Sequence, residues 1–208
     1  MSELEPEPAV AAAIFGDRIE VARQFAEALA EHGEERGLIG PLELPRLWSR
    51  HVLNSAIAAP LFSGRVGDVG SGAGLPGLVL AVARPDVRWV LIEPMERRVA
   101  WLREQADALR LENVEVIRGR AEDWKEGPVL DAVTARAVSA LRTLIPLTAP
   151  LVRNGGELIL LKGAGAPAEI GAAEKQIRKF ALTDTRVELL GEGILEEPTR
   201  VVRATVRG

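Results

Sequence analysis

Val66-Gly67-Asp68-Val69-Gly70-Ser71-Gly72-Ala73-Gly74-Leu75-Pro76-Gly77 is a short apolar run that ends in three alternating glycines. A second apolar run, Trp89-Val90-Leu91-Ile92, follows roughly twenty residues on and ends in Glu93. In a doubly wound α/β domain this pairing binds an adenosine. Glycine turns after the first strand let a ligand approach the backbone, and an acid after the second strand grips both ribose hydroxyls. The glycines alone are a weak signal. Together with the acid at this spacing and the strand-helix alternation that follows, they are a strong one. A glycine turn with no ligand would leave Glu93 without a reason.

The spacing of the turn bears on the ligand. A pyrophosphate wants the third glycine three residues after the second, so that a helix N-terminus meets the phosphate charge. Here the pattern is Gly70-x-Gly72-x-Gly74, and Pro76 follows where the next helix should start, removing an N–H donor. S-adenosylmethionine has no phosphate to satisfy and needs room for its methionine end. The pattern favours S-adenosylmethionine over NAD.

At 208 residues and 47% hydrophobic content the chain can bury a sizeable core, and its length suits one domain with an extension. No apolar run approaches the ~20 residues needed to span a bilayer. The start, Met1-Ser2-Glu3-Leu4-Glu5-Pro6-Glu7, has no basic-then-apolar leader. There are no cysteines, so disulfides and thiolate metal sites are excluded, and only His32 and His51 could supply imidazole. The expectation is a cytoplasmic, metal-free protein without membrane partners. Net charge is −4, which argues against a general affinity for nucleic acid. The 22 arginines and 4 lysines nonetheless dot the middle of the chain, and a local basic face can bind phosphate on an acidic protein. Ordinary solvated helix faces would give the same pattern.

Residues 1–8 read as a disordered tail. Residues 9–33 read as a helix with Val21, Phe25, Ala28 and Leu29 on one face, and about 43–62 as a second with Leu44, Leu47, Trp48 and His51 along a stripe. Strands are expected near 65–69, 88–93, 113–118, 130–135 and 156–161, and helices near 75–84, 95–109, 138–152 and 166–181. Such βαβ alternation means a parallel sheet covered on both faces. Two final strand-like runs, about 184–190 and 199–206, have no helix between them. That C-terminal β-hairpin is the habit of Rossmann-like, class I S-adenosylmethionine-dependent methyltransferases. The expected architecture is a seven-stranded mixed sheet over 63–208, preceded by a helical extension over 1–62, the two forming one compact unit.

Five ordered motifs carry a specific resemblance: Leu47-Trp48-Ser49-Arg50-His51-Val52-Leu53-Asn54-Ser55, Asp68 to Gly77, Arg120-Ala121-Glu122, Ala135-Arg136-Ala137-Val138 and Leu161-Lys162-Gly163. From about residue 10 to its end the chain resembles the bacterial 16S rRNA guanine-N7 methyltransferases, also called glucose-inhibited division protein B. The resemblance implies methyl transfer from S-adenosylmethionine to N7 of a guanine in 16S rRNA, with the rRNA or the small ribosomal subunit as partner; a monomer is the expected acting form. It puts the cofactor against Gly70, Leu75, Ala121, Glu122 and Arg136. The fold position of Glu93 adds the ribose contact, and Asp68 and Gly72 belong to the same turn. Ala135 departs from the many members that carry serine before the arginine.

Chemistry narrows the acceptor independently. Methylating C5 of a pyrimidine needs a cysteine nucleophile, which is absent. Methylating an exocyclic amine usually uses an Asn/Asp-Pro-Pro-aromatic turn after strand four, where this chain reads Asp131-Ala132-Val133-Thr134-Ala135-Arg136. Guanine N7 carries no proton at neutral pH, and its in-plane lone pair can attack the sulfonium methyl without a general base. Asp68 then orients the turn or accepts a hydrogen bond from the methionine ammonium. Arg136 is the candidate orienting residue. Arg46, Arg50, Arg120 and Lys162 are candidate RNA contacts, with exposed helix charge as the alternative for the first two. His51 lies on an apolar stripe and reads as a satisfied, partly buried histidine rather than a base. A methyltransferase for another RNA or a small molecule, or a non-catalytic S-adenosylmethionine-binding module, would carry the same glycine turn and acid.

Overall fold

The computed structural model describes residues 4–124, 126–127 and 129–207. Helices α1 (Val10–Phe15) and α2 (Ile19–His32) open the chain. A 3-10 segment (Pro41–Arg46), a π-helical turn (Leu47–Leu53) and the short α3 (Asn54–Ala56) follow. Then come β1 (Arg65–Val69), α4 (Gly77–Ala83), β2 (Arg88–Glu93), α5 (Glu96–Ala108), β3 (Val114–Arg118), β4 (Leu130–Thr134) and α6 (Leu141–Thr148). The end is β5 (Val152–Lys162), α7 (Ala166–Ala172), α8 (Glu174–Lys179), β6 (Leu182–Leu190) and β7 (Thr199–Val206).

The seven strands form one sheet in the order β3-β2-β1-β4-β5-β7-β6. β1 to β5 are parallel, and β7 runs antiparallel between β5 and β6. This is the Rossmann-like, class I methyltransferase sheet with its terminal hairpin. The strand order reverses at β1, between β2 and β4, so the crevice that doubly wound sheets use for ligands opens at the C-terminal ends of β1, β2 and β4. Asp68, Glu93 and Arg136 all sit at that edge.

Each face of the sheet carries an apolar layer. One lies under the extension, α4 and α5 and includes Phe25, Leu29, Leu47, Trp48, Leu53, Leu78, Trp89 and Trp101. The other lies under α6 to α8 and includes Leu130, Leu141, Leu144, Ile145, Leu158 and Val202. Because α2 and the π-helical turn share a core with α4, the extension is packed onto the sheet domain. Burying a side chain such as Phe25 or Leu29 contributes about 1.5–3 kcal/mol.

The structure corrects several sequence expectations. The helix expected over 9–33 is broken at Gly16, whose φ of +52° starts a 3-10 turn before α2. The helix expected over 43–62 is a series of 3-10, π and short α turns, because Pro45 and Pro60 lack the N–H that a continuous α-helix needs. Pro150 likewise converts the end of the helix expected over 138–152 into a 3-10 turn, so that β5 begins at Val152. The helix expected over 166–181 is split at Ala173. The tail expected to be disordered is docked over residues 4–8. The Glu5 N–H donates to the Leu44 carbonyl at 3.0 Å, the Glu5 carboxylate accepts the Ser49 N–H at 2.9 Å, and Glu7 accepts two hydrogen bonds from Arg23. Positions 1–3 of that tail lie outside the described residues. No helix among the described residues is long and apolar enough to cross a membrane.

Candidate active site

The β1–α4 turn is built from three left-handed glycines: Gly70, Gly72 and Gly74 have φ of +74°, +56° and +92°. Side chains adopt that region rarely. Hydrogen bonds to neighbouring elements hold the turn. The Gly70 N–H donates to the Ile92 carbonyl at 2.8 Å. The indole N–H of Trp101 on α5 donates to the Ala73 carbonyl at 3.0 Å. The Gly77 N–H, at the start of α4, donates to Asp68 Oδ2 at 3.0 Å. Gly77 permits that approach because a Cβ there would collide with the Asp68 carboxylate and the Leu91 side chain. Finally, the Gly72 N–H donates to Glu93 Oε2 at 2.9 Å, while Glu93 Oε1 accepts the Met95 N–H at 2.9 Å.

A cleft of about 480 Å³ opens over this turn and is lined by Gly70, Gly72, Leu75, Glu93, Arg98 and Arg136, among others. Glu93 is almost wholly buried at its base. Its two backbone hydrogen bonds leave each carboxylate oxygen a further lone pair, the capacity needed to receive two ribose hydroxyls. Asp68 is fully buried beneath the turn, and its Oδ1 has no partner. Burial pushes its carboxyl up to about 7, against the opposing pull of the nearby Ser71 hydroxyl, the Gly77 N–H and the Arg136 charge. An orphaned buried carboxylate oxygen is costly. A cationic donor would relieve it, and the methionine ammonium of S-adenosylmethionine is one. The donor set thus fits that cofactor at both its ends.

Arg136 follows β4 and is held by the extension. Its Nη2 lies 2.7 Å from His51 Nδ1, and its Nη1 donates to the Arg50 carbonyl at 3.3 Å. His51 Nε2 in turn lies 2.6 Å from Glu43 Oε2, and Glu43 is paired with Arg46. Burial lowers the Arg136 guanidinium to about 10, and the Arg46 and His51 hydrogen bonds lower Glu43 to about 2. Burial and the Arg136 charge also lower His51 from its ordinary value.

The cleft gathers Gly70, Gly72, Leu75, Glu93 and Arg136, with Asp68 just below. Ala121 is buried in the 3-10 turn Ala121–Asp123 after β3, with Glu122 exposed beside it. Arg120 is exposed on the approach to that turn. The four residues expected on RNA do not share one environment. Arg50 is half-exposed, 3.7 Å from Glu197, and Arg46 is committed to Glu43. Lys162 departs furthest from the expectation. Its side chain is only 10% exposed, its Nζ lies 2.7 Å from Glu169, and it donates to the Ser139 carbonyl at 2.8 Å. Glu169 also accepts the Leu141 N–H at 2.7 Å, so the pair pins the connection between β4 and α6. Sequence reasoning missed Trp101 as a support of the glycine turn and Arg98 as a cleft residue. Arg98 is the third residue of α5, the helix that follows Glu93, and that position could have suggested it.

A family model described as rRNA small subunit methyltransferase G matches residues 18–197. The chain is 67% identical over 205 residues to the ribosomal RNA small subunit methyltransferase G of Leifsonia xyli subsp. xyli, covering 98% of each chain. It is 64% identical to the protein of that name from Clavibacter michiganensis, covering 98% of this chain and 97% of the relative. Among solved structures, N-methyltransferase NodS from Bradyrhizobium japonicum, in complex with S-adenosyl-L-homocysteine, superposes with a TM-score of 0.54 at 16% identity, covering 79% of this chain and 88% of that one. At that identity the likeness bears on fold alone.

Proposed function

We infer how the cleft works from one premise: the chain belongs to the GidB family, rRNA small subunit methyltransferase G. It is an S-adenosylmethionine-dependent enzyme that methylates rRNA. In our reading the acceptor is N7 of a guanine in 16S rRNA, presented as rRNA or as the small subunit, and the enzyme acts in the cytoplasm as a monomer. The extension, 1–62, and the sheet domain, 63–208, work as one unit.

When bound, S-adenosylmethionine supplies an electrophilic sulfonium methyl group. Asp68 takes the methionine ammonium, Glu93 takes the ribose hydroxyls, and Gly70, Gly72 and Leu75 form the floor. Ala121 and Glu122 border the adenine. Arg136 stands at the edge of the cleft, and its guanidinium orients the guanine through O6, a pairing of donor and acceptor that arginine commonly makes. Arg50 and Arg120 contact phosphate, with Arg46 beside Arg50. The main contribution to rate is alignment, for which ~7–11 kcal/mol is available in well-oriented reactions.

The observation that carries this reading is the state of the only imidazole lining the cleft. Both ring nitrogens of His51 are engaged, one by Arg136 and one by Glu43. Both Glu93 oxygens receive backbone N–H groups. An acceptor that must lose a proton to an imidazole would need His51 released, and in this reading the spare lone pairs of Glu93 and Asp68 are taken by the cofactor, whereas guanine N7 needs no base. The test is transfer of labelled methyl to small subunits from cells that lack the enzyme, followed by mass mapping of N7-methylguanine. Label on an exocyclic amine or a ribose, or no transfer to any rRNA preparation, would refute the proposal.

A further inference from the structure

We propose that His51 is a positioning residue that holds Arg136 in the cleft from the N-terminal extension, through an Nδ1 lone pair that must stay unprotonated. The inference rests on the reading of Arg136 as the residue that orients the guanine.

A guanidinium has only donors. At 2.7 Å from Arg136 Nη2, His51 Nδ1 therefore presents its lone pair. The ring proton is then on Nε2, where Glu43 Oε2 receives it at 2.6 Å. The tautomer follows from the partners on either side. His51 belongs to the π-helical turn Leu47–Leu53, and the neighbouring Arg50 offers its backbone carbonyl to the same guanidinium. Two consecutive residues of one turn thus grip Arg136, while the Arg50 side chain points to the face proposed for phosphate. The grip ties the rRNA-facing extension to the reacting edge of the sheet. π-Helical turns recur at functional sites.

The groups facing this contact come from several elements. Glu43 and Arg46 belong to the 3-10 segment before the turn, Arg50 to the turn itself, Arg136 to the end of β4, and Asp68 acts on Arg136 from below. Protonating His51 would put an N–H against the guanidinium donors and release Arg136. Burial and the Arg136 charge already hold His51 below its ordinary value, so the neutral form prevails at pH 7. Activity should fall on the acid side, below pH ~6.5. His51 takes no proton from the substrate.

The test uses the full chain with unmethylated small subunits at saturating S-adenosylmethionine, so that titration of Asp68 on cofactor binding does not enter. Single-turnover methyl transfer is followed against pH for the wild type, His51→Ala, His51→Gln and His51→Asn. Asparagine puts an oxygen where Nδ1 stood and does not titrate. His51→Asn should keep most of the rate and lose the acid limb. Glutamine reaches toward Glu43 and leaves Arg136 unheld, so His51→Gln should behave like His51→Ala, with transfer slowed about 10- to 100-fold. If His51→Asn is as slow as His51→Ala, an acceptor at the Nδ1 position is not what holds Arg136, and the proposal is overturned. Equal rates and equal pH profiles for all four proteins would overturn it as well. Nitrogen chemical shifts of the His51 ring give a readout that needs no activity. An unprotonated Nδ1 at neutral pH, with a His51 pKa that rises in Arg136→Ala, supports the contact, and a protonated Nδ1 overturns it. Were the wild type to methylate no rRNA, those shifts would still decide the His51 contact, and only the proposed function would fall.

Discussion

Asp68→Asn should remove a pH dependence from the stability of the cofactor-free protein. In the folded chain the Asp68 carboxyl titrates at about 7, because full burial penalises the charged form. In the unfolded chain it should titrate near 3.9. A folded value above the unfolded one means that the native state holds the proton more tightly. The associated stability is fully present below pH ~4, is lost as pH rises, and stops changing above pH ~7. At 1.36 kcal/mol per unit, the loss between pH 5 and 7 is about 2.5 kcal/mol. Asparagine does not titrate and can still accept the Gly77 N–H. Its amide replaces the unpartnered oxygen with an unpartnered donor, a penalty of about 1–3 kcal/mol that is the same at every pH. Urea unfolding of both proteins without cofactor, from pH 5 to 8, separates the two effects. The variant should gain on the wild type by about 2.5 kcal/mol up to pH ~7 and no further. Saturating S-adenosylmethionine should flatten the wild-type curve, and the variant should bind it at least tenfold more weakly, about 1.4 kcal/mol. Parallel stability curves would refute the buried, unneutralised carboxylate. A cofactor affinity unchanged by the substitution would refute the ammonium contact.

Glu93→Ala should cost about 1.5–3 kcal/mol of S-adenosylmethionine affinity, by loss of the ribose acceptor and of the anchor for Gly72. Calorimetry on the folded variant measures it, and an unaltered Kd sinks the assignment. Arg50→Ala removes a proposed phosphate contact but keeps the backbone carbonyl that holds Arg136. The slope of log affinity for rRNA against log salt should therefore fall by about one while cofactor affinity stays constant; an unchanged slope takes Arg50 off the RNA. Gly77→Ala pushes a methyl group into Asp68 and Leu91. It should destabilise the protein by about 1–3 kcal/mol and impair cofactor binding, so wild-type values of both the melting temperature and Kd would contradict the close approach.

The sequence made the sheet legible because its signals are local. Each strand from Val66 to Val133 is an apolar run between breakers, and the glycine turn and Glu93 declare themselves by spacing. The extension was legible only as helical. Its real path, through 3-10 and π turns, depends on Pro45, Pro60 and the burial of Leu47, Trp48 and Leu53 in the core layer shared with α2 and α4. Periodicity weighs apolar positions and is blind to which backbone hydrogen bond a turn adopts. The docked segment 4–8 was hidden for a related reason, since its acidic composition reads as solvated until Arg23 and the Ser49 N–H are brought beside it.

The site divides along the same line, and the division has a functional meaning. Asp68, Gly70, Gly72 and Glu93 lie within one βαβ unit, so their joint position follows from the spacing of two strands. The residues that complete the cleft are remote: His51 meets Arg136 across 85 positions, and Trp101 reaches Ala73 across 28. Lys162 shows the converse, a cation that spacing places at the ligand edge and that Glu169 withdraws from it. A basic residue at the end of a strand is thus a ligand contact only if no carboxylate reaches it first. Arg136 passes that condition, because what reaches it is neutral: a histidine lone pair and a backbone carbonyl. Neither cancels the charge, so the guanidinium is fixed in place without a direct carboxylate partner, and its remaining donors stay available to an acceptor in the cleft. A carboxylate in the position of His51 would have held Arg136 as firmly and neutralised it. In the proposed role, a neutral partner supplied by the extension fixes the half-buried Arg136 and leaves its charge for the substrate.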